Sequence, residues 1–307
     1  MRGLDVAALA DRLPPSPRTR YAPSPTGYLH LGHVANAIVV WGLARQLGGR
    51  VLLRLETHDR GRCRPAYRDA IVEDLAWLGF EPDEGPVDQD DPRPYADAVE
   101  TLRGAGLTYA CACSRRERMA TPDRGGGCTG RCRERGLGDG PGRTLRLRVD
   151  PRPEPFVGAD GAWTTGDAAA GGDIVLRDRA GLWSYHLAVT VDDLRQQIDL
   201  VIRGDDLVEA TGVQVQLARH LGRVTPPVFV HHGLVTGPDG RKLSKSHRDA
   251  GVREWRAGGA SPAEVIGRAA AGAGLAGAPR ALPARDVARL FERRAAGAPE
   301  PGARVLG

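Results

Sequence analysis

Lys242 and Lys245 are the only two lysines in a chain that carries 43 lysines and arginines together. A sequence that writes arginine almost everywhere else keeps two compact ammonium groups close together, in Lys242-Leu243-Ser244-Lys245-Ser246. Ammonium and guanidinium are not equivalent where a small point charge must reach a phosphate. Lysines on a mobile loop, flanked by hydroxyl donors, can close over a triphosphate and neutralise the charge that builds on departing pyrophosphate. Alone, the segment could be any basic loop. The chain has no GxxxxGK[ST] element, so a P-loop mechanism has no support.

A second constellation, His30-Leu31-Gly32-His33, follows the turn-rich Pro23-Ser24-Pro25-Thr26-Gly27. A helix beginning here would aim free backbone N–H groups and its positive dipole end at that loop, a seat for phosphate. Imidazoles at this spacing share one face of a first helical turn and can donate to phosphate oxygens. Gly32 leaves room for a nucleotide to approach the backbone. An isolated HxGH is equally well a surface His pair beside a capping glycine.

The third is sulfur. Cys111-Ala112-Cys113 and Cys128-Thr129-Gly130-Arg131-Cys132 supply four soft ligands, enough for a closed tetrahedral zinc site. A Cys₄ shell leaves no open position for water, so such a zinc is structural. The competing reading is four reduced thiols in a flexible loop. Cys63 stands apart and reads as an ordinary thiol. The opening Met1–Ala10 is interrupted by Asp5, so no export signal is evident and a cytoplasmic protein is expected. Thiols in that compartment serve metal or redox work rather than disulfides.

These groups must be positioned by a core, and 307 residues with 41% hydrophobic and 26% charged content describe a globular chain. The apolar stretch Ala35–Leu47 is too short to span a bilayer and carries Asn36 and Arg45. A net charge of +5 suits a polyanion such as RNA, weakly. Strand-like Arg20–Ala22, helical Val34–Leu47 stopped by Gly48-Gly49, a buried strand Arg50–Glu56 and a helix Pro65–Leu78 ending at Gly79 alternate as in a parallel sheet. A Cys- and Gly-rich interruption follows, and strand character resumes at Leu145–Val149, Asp173–Leu176 and Ser184–Val189. A strand Leu200–Ile202, a helix Asp205–Leu221, a strand Val228–His231 and a capping box at Ser261-Pro262-Ala263-Glu264 complete the pattern. Beyond that helix the Ala/Gly/Arg/Pro bias predicts loose packing.

In this order the segments say more than they do singly. Tyr21-Ala22-Pro23-Ser24 leading into His30-Leu31-Gly32-His33, with Lys242-Leu243-Ser244-Lys245-Ser246 much later, resembles the HIGH and KMSKS signatures of class I aminoacyl-tRNA synthetases. Arg20 to His33, Arg54-Leu55-Glu56-Thr57-His58-Asp59 and Val201-Ile202-Arg203-Gly204-Asp205-Asp206-Leu207 are similar to glutamyl-tRNA synthetases in particular. The resemblance covers about residues 18–255. Past the lysine segment the chain runs only to Gly307, where a discriminating glutamyl-tRNA synthetase carries a large helical anticodon-binding region. The resemblance therefore narrows to the shortened paralogues, the glutamyl-queuosine tRNA(Asp) synthetases.

That resemblance implies an α/β fold: a Rossmann-like parallel sheet split by a zinc-containing insertion, with a short helical C-terminal segment. It places the first half of the catalytic domain at 1–109 and the zinc part of the insertion at 110–143. The rest of the insertion and of the catalytic domain occupy 144–255, and an Ala/Gly/Arg-rich tail 256–307. It implies a cytoplasmic monomer that activates L-glutamate with ATP and Mg²⁺, without tRNA. The glutamate then passes to the queuosine at the wobble position of tRNA(Asp). His30, His33, Lys242 and Lys245 would be catalytic, with His30, Gly32, His33 and Lys245 on ATP. Arg20, Tyr21, Ala22, Pro23, Ser24, Glu56, Tyr185 and Arg203 would take the glutamate. Cys111, Cys113, Cys128 and Cys132 would hold the zinc; Cys128 stands where those paralogues often have tyrosine. The family generally has Asp where Thr57 stands, which bears on neighbouring ribose contacts. Tyr185 in mere sheet packing, and Glu56 or Arg203 in structural ion pairs, are the bland readings. The rival functions are a truncated glutamyl-tRNA synthetase charging the tRNA(Glu) 3′ end, a non-catalytic RNA-binding paralogue, and a simpler nucleotidyltransferase.

Overall fold

The computed structural model describes residues 3–114, 116–117, 130–235 and 251–292. Lys242, Lys245 and Cys128 lie outside them. After a one-turn helix α1 (Val6–Ala10) capped by Asp5, the chain enters β1 (Arg18–Tyr21) and α2 (Leu31–Gln46). α2 is apolar on every side, with Val34, Ala35 and the whole run Ala37–Ala44 buried, so it can only sit inside the molecule. β2 (Arg50–Leu55) returns beside β1, pairing parallel with Thr19 opposite Val51. α3 (Pro65–Leu78) starts on proline and stops at Gly79, whose φ of 83° is the left-handed cap glycine accepts without strain. β3 (Glu84–Asp88) then pairs parallel with β2.

The chain next leaves the sheet. α4 (Arg93–Gly104) leads to β4 (Thr108–Cys111) and β5 (Thr144–Leu147), then to the hairpin β6 (Pro153–Val157) and β7 (Trp163–Asp167), and to β8 (Val175–Arg177). β4, β5 and β8 form a separate antiparallel sheet, whereas β6 and β7 extend the main one. α5 (Tyr185–Arg195) brings the chain back to β9 (Leu200–Gly204), α6 (Glu209–His220) and β10 (Val228–His232). β9 pairs parallel with β1 and β10, so the main sheet runs β3-β2-β1-β9-β10-β6-β7, all parallel except β7. The strand order reverses between β1 and β9. In open α/β sheets the crevice outside the carboxyl ends of such a pair is where ligands bind.

Two expectations are corrected. Ser184–Val189 is the start of a helix, not a strand: the Ser184 side chain caps it by accepting from the Leu187 N–H, and Leu187, Ala188 and Val191 bury one face. A short apolar run such as Leu187–Val189 fits strand and helix alike, and tertiary packing decides between them. The C-terminal part is also firmly packed through residue 292. α7 (Val252–Ala257), α8 (Pro262–Gly272) and a 3₁₀ segment Ala284–Phe291 bury Val265, Ile266, Ala269, Ala270, Val287 and Phe291 in the core shared with α2. Small residues make this close approach possible: a Cβ on Gly42 of α2 would sit 2.2 Å from the Phe291 ring.

Candidate active site

β1 and α2 are tied together at the crevice. Tyr21, 1% exposed at the end of β1, donates from its hydroxyl to the His33 carbonyl at 3.1 Å. His30 is the N-cap of α2: its Nδ1 accepts from the Gly32 N–H at 3.1 Å, while His33 Nδ1 accepts from the His30 N–H at 3.1 Å. The rings lie 3.9 Å apart. Because both Nδ1 atoms accept, the neutral imidazoles carry their protons on Nε2, and Nε2 is the donor end of each. The expectation of free N–H groups at this helix start is thereby amended. The histidines cap the helix themselves and offer imidazole donors in place of the Gly32 amide.

A cleft of ≈ 390 Å³ opens over the β1/β9 switch point, lined by Arg20, Tyr21, Ala22, Pro23, Ser24, His33, Glu56, Tyr185 and Arg203 among others. The loop after β1 is stitched to β2: the Glu56 N–H donates to the Pro23 carbonyl at 3.1 Å, and the Ser24 hydroxyl to the Glu56 carbonyl at 2.9 Å. Tyr185 is the first residue of α5, so it reaches the cleft from a helix N-terminus, not from a sheet face. Burial, then the Glu56 charge, raises the pKa of its hydroxyl, which stays protonated and able to donate.

Arg203 is 5% exposed, and its guanidinium is surrounded by neutral acceptors. Nη1 donates to Gln214 Oε1 at 2.5 Å, Nη2 to Thr211 Oγ1 at 2.8 Å and the Leu207 carbonyl at 3.1 Å, and Nε to His231 Nε2 at 3.3 Å. Burial lowers its pKa from the usual value. Burial, and then Arg203 itself, also pushes the His231 pKa down to about 4, keeping that imidazole neutral and able to accept. No carboxylate forms an ion pair with Arg203 among the described residues. A buried cation so placed is costly, and an anionic ligand in the cleft would offset that cost.

Arg20 and Glu56 are anchored differently. Arg20 Nε donates to Asp193 Oδ1 at 3.0 Å and Nη1 to the Ile202 carbonyl at 3.2 Å. Glu56 Oε1 accepts from Arg54 Nη2 at 3.1 Å. Arg54 and Asp193, which hold these two side chains, were given no role by sequence reasoning. Their signal was available: Arg54 is a lone charge in the apolar strand Val51-Leu52-Leu53-Arg54-Leu55, and Asp192-Asp193 interrupts an apolar helix face. Thr57 turns away from this cleft, donating from Oγ1 to Asp90 Oδ1 at 3.2 Å.

His232 Nε2 and Asn36 Oδ1 are 2.9 Å apart, joining β10 to α2. The chain leaves the described structure after Val235 and returns at Gly251, whose backbone is bridged to His30.

Cys111, Cys113 and Cys132 converge at the β4 end of the insertion, their sulfurs all within 4.8 Å of one another and the Cys113–Cys132 pair 3.5 Å apart. Thiolates about 2.3 Å from one tetrahedral ion lie about 3.8 Å from each other, so the three fit a common soft metal. Burial and the neighbouring thiols push the Cys113 pKa up to about 12, the penalty expected for crowding sulfurs with no cation between them. The Arg179 guanidinium braces the knuckle by donating to the Ala112 and Cys113 carbonyls at 2.9 and 2.7 Å. Cys63 is not part of this group; its thiol lies 3.8 Å from the Glu56 carbonyl.

Comparison with known proteins agrees with this architecture. Residues 17–134 and 141–268 match the family described as tRNA synthetases class I (E and Q), catalytic domain. The chain is 40% identical to the glutamyl-Q tRNA(Asp) synthetase of Rhodobacter capsulatus, over 80% of this chain and 97% of that protein. To the protein of the same name from Symbiobacterium thermophilum it is 36% identical, over 89% and 91%. A crystal structure of a glutamate tRNA ligase from Elizabethkingia meningosepticum, in complex with its amino acid, superposes with a TM-score of 0.64 at 28% identity. The match covers 76% of this chain and 52% of that one, so the chain spans about half the ligase. No helix among the described residues is long and apolar enough to cross a membrane. The chain thus belongs to the class I tRNA synthetases of the E and Q group, and within that group to the glutamyl-Q tRNA(Asp) synthetases.

Proposed function

We propose that the protein activates L-glutamate with ATP and transfers it to the queuosine at the wobble position of tRNA(Asp). The observation that carries the glutamate reading is Arg203, a buried guanidinium whose hydrogen-bond partners among the described residues are all neutral, facing one cleft with Arg20 and Glu56. The Nη2 edge of Arg20 and the one Nη1 hydrogen that Arg203 keeps beyond Gln214 would meet the γ-carboxylate, and Glu56 the α-ammonium. Tyr185 closes the side, and the Tyr21–Ser24 segment runs beneath the substrate.

The remaining group, the α-carboxylate, attacks the α-phosphate of ATP in line, and pyrophosphate leaves. The protein contributes position and charge neutralisation rather than covalent chemistry. His30 and His33 donate from Nε2 to the α-phosphate as its charge rearranges, while Gly32 lets the nucleotide approach the backbone. Lys242 and Lys245 would neutralise the leaving pyrophosphate, and Mg²⁺ accompanying ATP would share that charge. Lys245 is six residues from Gly251, a contour of at most about 20 Å, and Gly251 is bridged to His30. Chain geometry therefore allows the lysine to reach the nucleotide held by the histidines. A queuosine hydroxyl then attacks the adenylate carbonyl, forming the ester and releasing AMP.

Cys111, Cys113, Cys128 and Cys132 would hold one structural Zn²⁺, which cross-links the insertion and takes no part in the reaction. The proposed division keeps residues 1–109 as the first half of the catalytic domain, 110–143 as the zinc-binding part of the insertion, 144–255 as the rest of the insertion and of the catalytic domain, and 256–307 as the tail. The partner is tRNA(Asp) bearing queuosine, met by a monomer. Labelled glutamate offered with ATP and queuosine-containing tRNA(Asp) tests this: label should enter that RNA equally when its 3′-terminal nucleotides have been removed beforehand. Equal labelling of queuosine-free tRNA(Asp), or labelling of the tRNA(Glu) 3′ end, would contradict it.

A further inference from the structure

Beneath the cleft runs a chain of alternating buried charges. Glu56 accepts from Arg54 at 3.1 Å, Arg54 Nη1 donates to Asp193 Oδ1 at 2.8 Å, and the same Oδ1 accepts from Arg20 Nε at 3.0 Å. The four residues are 6%, 0%, 9% and 4% exposed, in that order. Arg54 lies in β2 with Glu56 just past its end, Asp193 in α5 and Arg20 in β1, so a single carboxylate oxygen ties three elements together. Asp193 also forms the hub of the only route from the ammonium end of the site to its carboxylate end among these hydrogen bonds.

We propose that Asp193 and Arg54 are the positioning residues that set the preference for glutamate over glutamine, an inference that rests on the glutamate reading above. Asp193 holds Arg20 by its Nε edge, which fixes the plane of the fork that meets the substrate γ-carboxylate. Arg54 engages one oxygen of Glu56 and so fixes the rotation of the carboxylate that receives the α-ammonium. Gln196 Oε1, 2.8 Å from Arg54 Nη1, completes the cradle. Asp192 is committed elsewhere, accepting from Gln89 at 2.8 Å and Tyr95 at 2.9 Å, with Arg195 at 3.4 Å. It therefore does not substitute for Asp193.

Charge gives the arrangement its selectivity. Three guanidiniums line the cleft, Arg20, Arg62 and Arg203, against two carboxylates, Glu56 and Asp59, so its lining holds one more positive than negative group. Glutamate, with two carboxylates and one ammonium, balances that excess; glutamine is neutral and leaves it uncompensated. Burial alone would raise the Asp193 pKa, but Arg20 and Arg54 outweigh it and hold the carboxyl below its ordinary range. The carboxylate is therefore charged wherever the enzyme is folded at neutral pH. A purely apolar filling of this space would cost less than buried ion pairs, so the network is better explained by recognition than by stability.

The test is glutamate-dependent ATP–pyrophosphate exchange without tRNA, with glutamine as the competing substrate, in the full-length Asp193→Asn and Arg54→Lys variants. Asp193→Asn should raise KM for glutamate at least about tenfold, leave KM for ATP within about twofold, and reduce the glutamate-to-glutamine ratio of kcat/KM at least about tenfold. Arg54→Lys keeps the charge but cannot bridge Glu56 and Asp193 at once, so it should show the same split should Asp193→Asn fail to fold. A general structural defect would instead lower kcat with both substrates alike. Unchanged KM for glutamate and unchanged discrimination in either folded variant overturns the inference while leaving glutamate activation standing. Absence of exchange in the unaltered enzyme overturns both.

Discussion

His30 and Gly251 pair backbone to backbone in an antiparallel bridge, and the neighbouring Val252 N–H donates to the Leu29 carbonyl at 2.8 Å. Residues 221 positions apart are thus joined where the first histidine meets the chain that follows the lysine segment. The bridge fixes where the chain returns after the lysine segment, beside the histidines proposed to meet the nucleotide. Lys245→Ala should therefore lower glutamate-dependent ATP–pyrophosphate exchange about 100- to 1,000-fold, the usual loss when one charge stabilising a transition state is removed. Undiminished exchange would refute the assignment to departing pyrophosphate.

His30 has two duties that a suitable substitution separates. Its Nδ1 caps α2, and its Nε2 end is assigned to the α-phosphate. Asparagine is a good N-cap. His30→Asn should keep the melting temperature within about 2 °C while exchange falls at least about 100-fold. Parallel loss of stability and activity would show that capping is the whole of its role.

How much of this could be read in advance follows from the kind of signal each part gives. α3 was legible because Pro65 and Gly79 punctuate it chemically. The α2 interior was legible from its unbroken apolar run. α5 was not, since Ser184 and a short apolar run support two local structures and only packing decides between them. Packing of Val287 and Phe291 onto α2 was hidden as well: alanine and glycine look like filler in a sequence, yet Gly42 is what admits the phenylalanine ring. At the site, the groups facing the cleft could be named from their motifs, whereas Asp193 and Gln214 could not. Their role is to hold other side chains, and that depends on distances between β1, β2, β9 and the helices α5 and α6.

The thiol knuckle yields a metal prediction. Elemental analysis of the purified protein should find about one zinc per chain, bound by thiolates. A strong chelator should lower the melting temperature as the Cys111–Cys113–Cys132 cluster loses its cation, and Cys132→Ser should lower both zinc content and stability. Metal-free protein of unaltered stability would contradict this.

Asp74 predicts an opposite kind of pH behaviour from a salt-bridged acid. It is 1% exposed in α3, and neither carboxylate oxygen has a hydrogen-bond partner. Burial raises its pKa from 3.8 to about 6, against the lowering charges of Arg253 and Arg256. The folded state therefore binds more protons than the unfolded state between these values, and this group's contribution to stability falls as pH rises through that window. Above pH 6 the penalty is complete, with an upper bound of about 3 kcal/mol. Asp74→Asn should raise the melting temperature at pH 7.5 and lose that advantage by pH 4. A difference between variant and parent that does not change with pH would contradict the assignment.

The account rests on Arg203, a buried guanidinium with no ion-paired carboxylate among the described residues, and ATP–pyrophosphate exchange without tRNA tests its proposed role most directly. The unaltered protein should exchange with L-glutamate and, at the same concentration, far less with L-glutamine. Arg203→Lys, which surrenders the fork shared with Gln214 and Thr211, should lower kcat/KM for glutamate about 10- to 100-fold, as loss of a charged hydrogen bond does. Exchange that is equal with both amino acids, or indifferent to Arg203→Lys, would contradict the account.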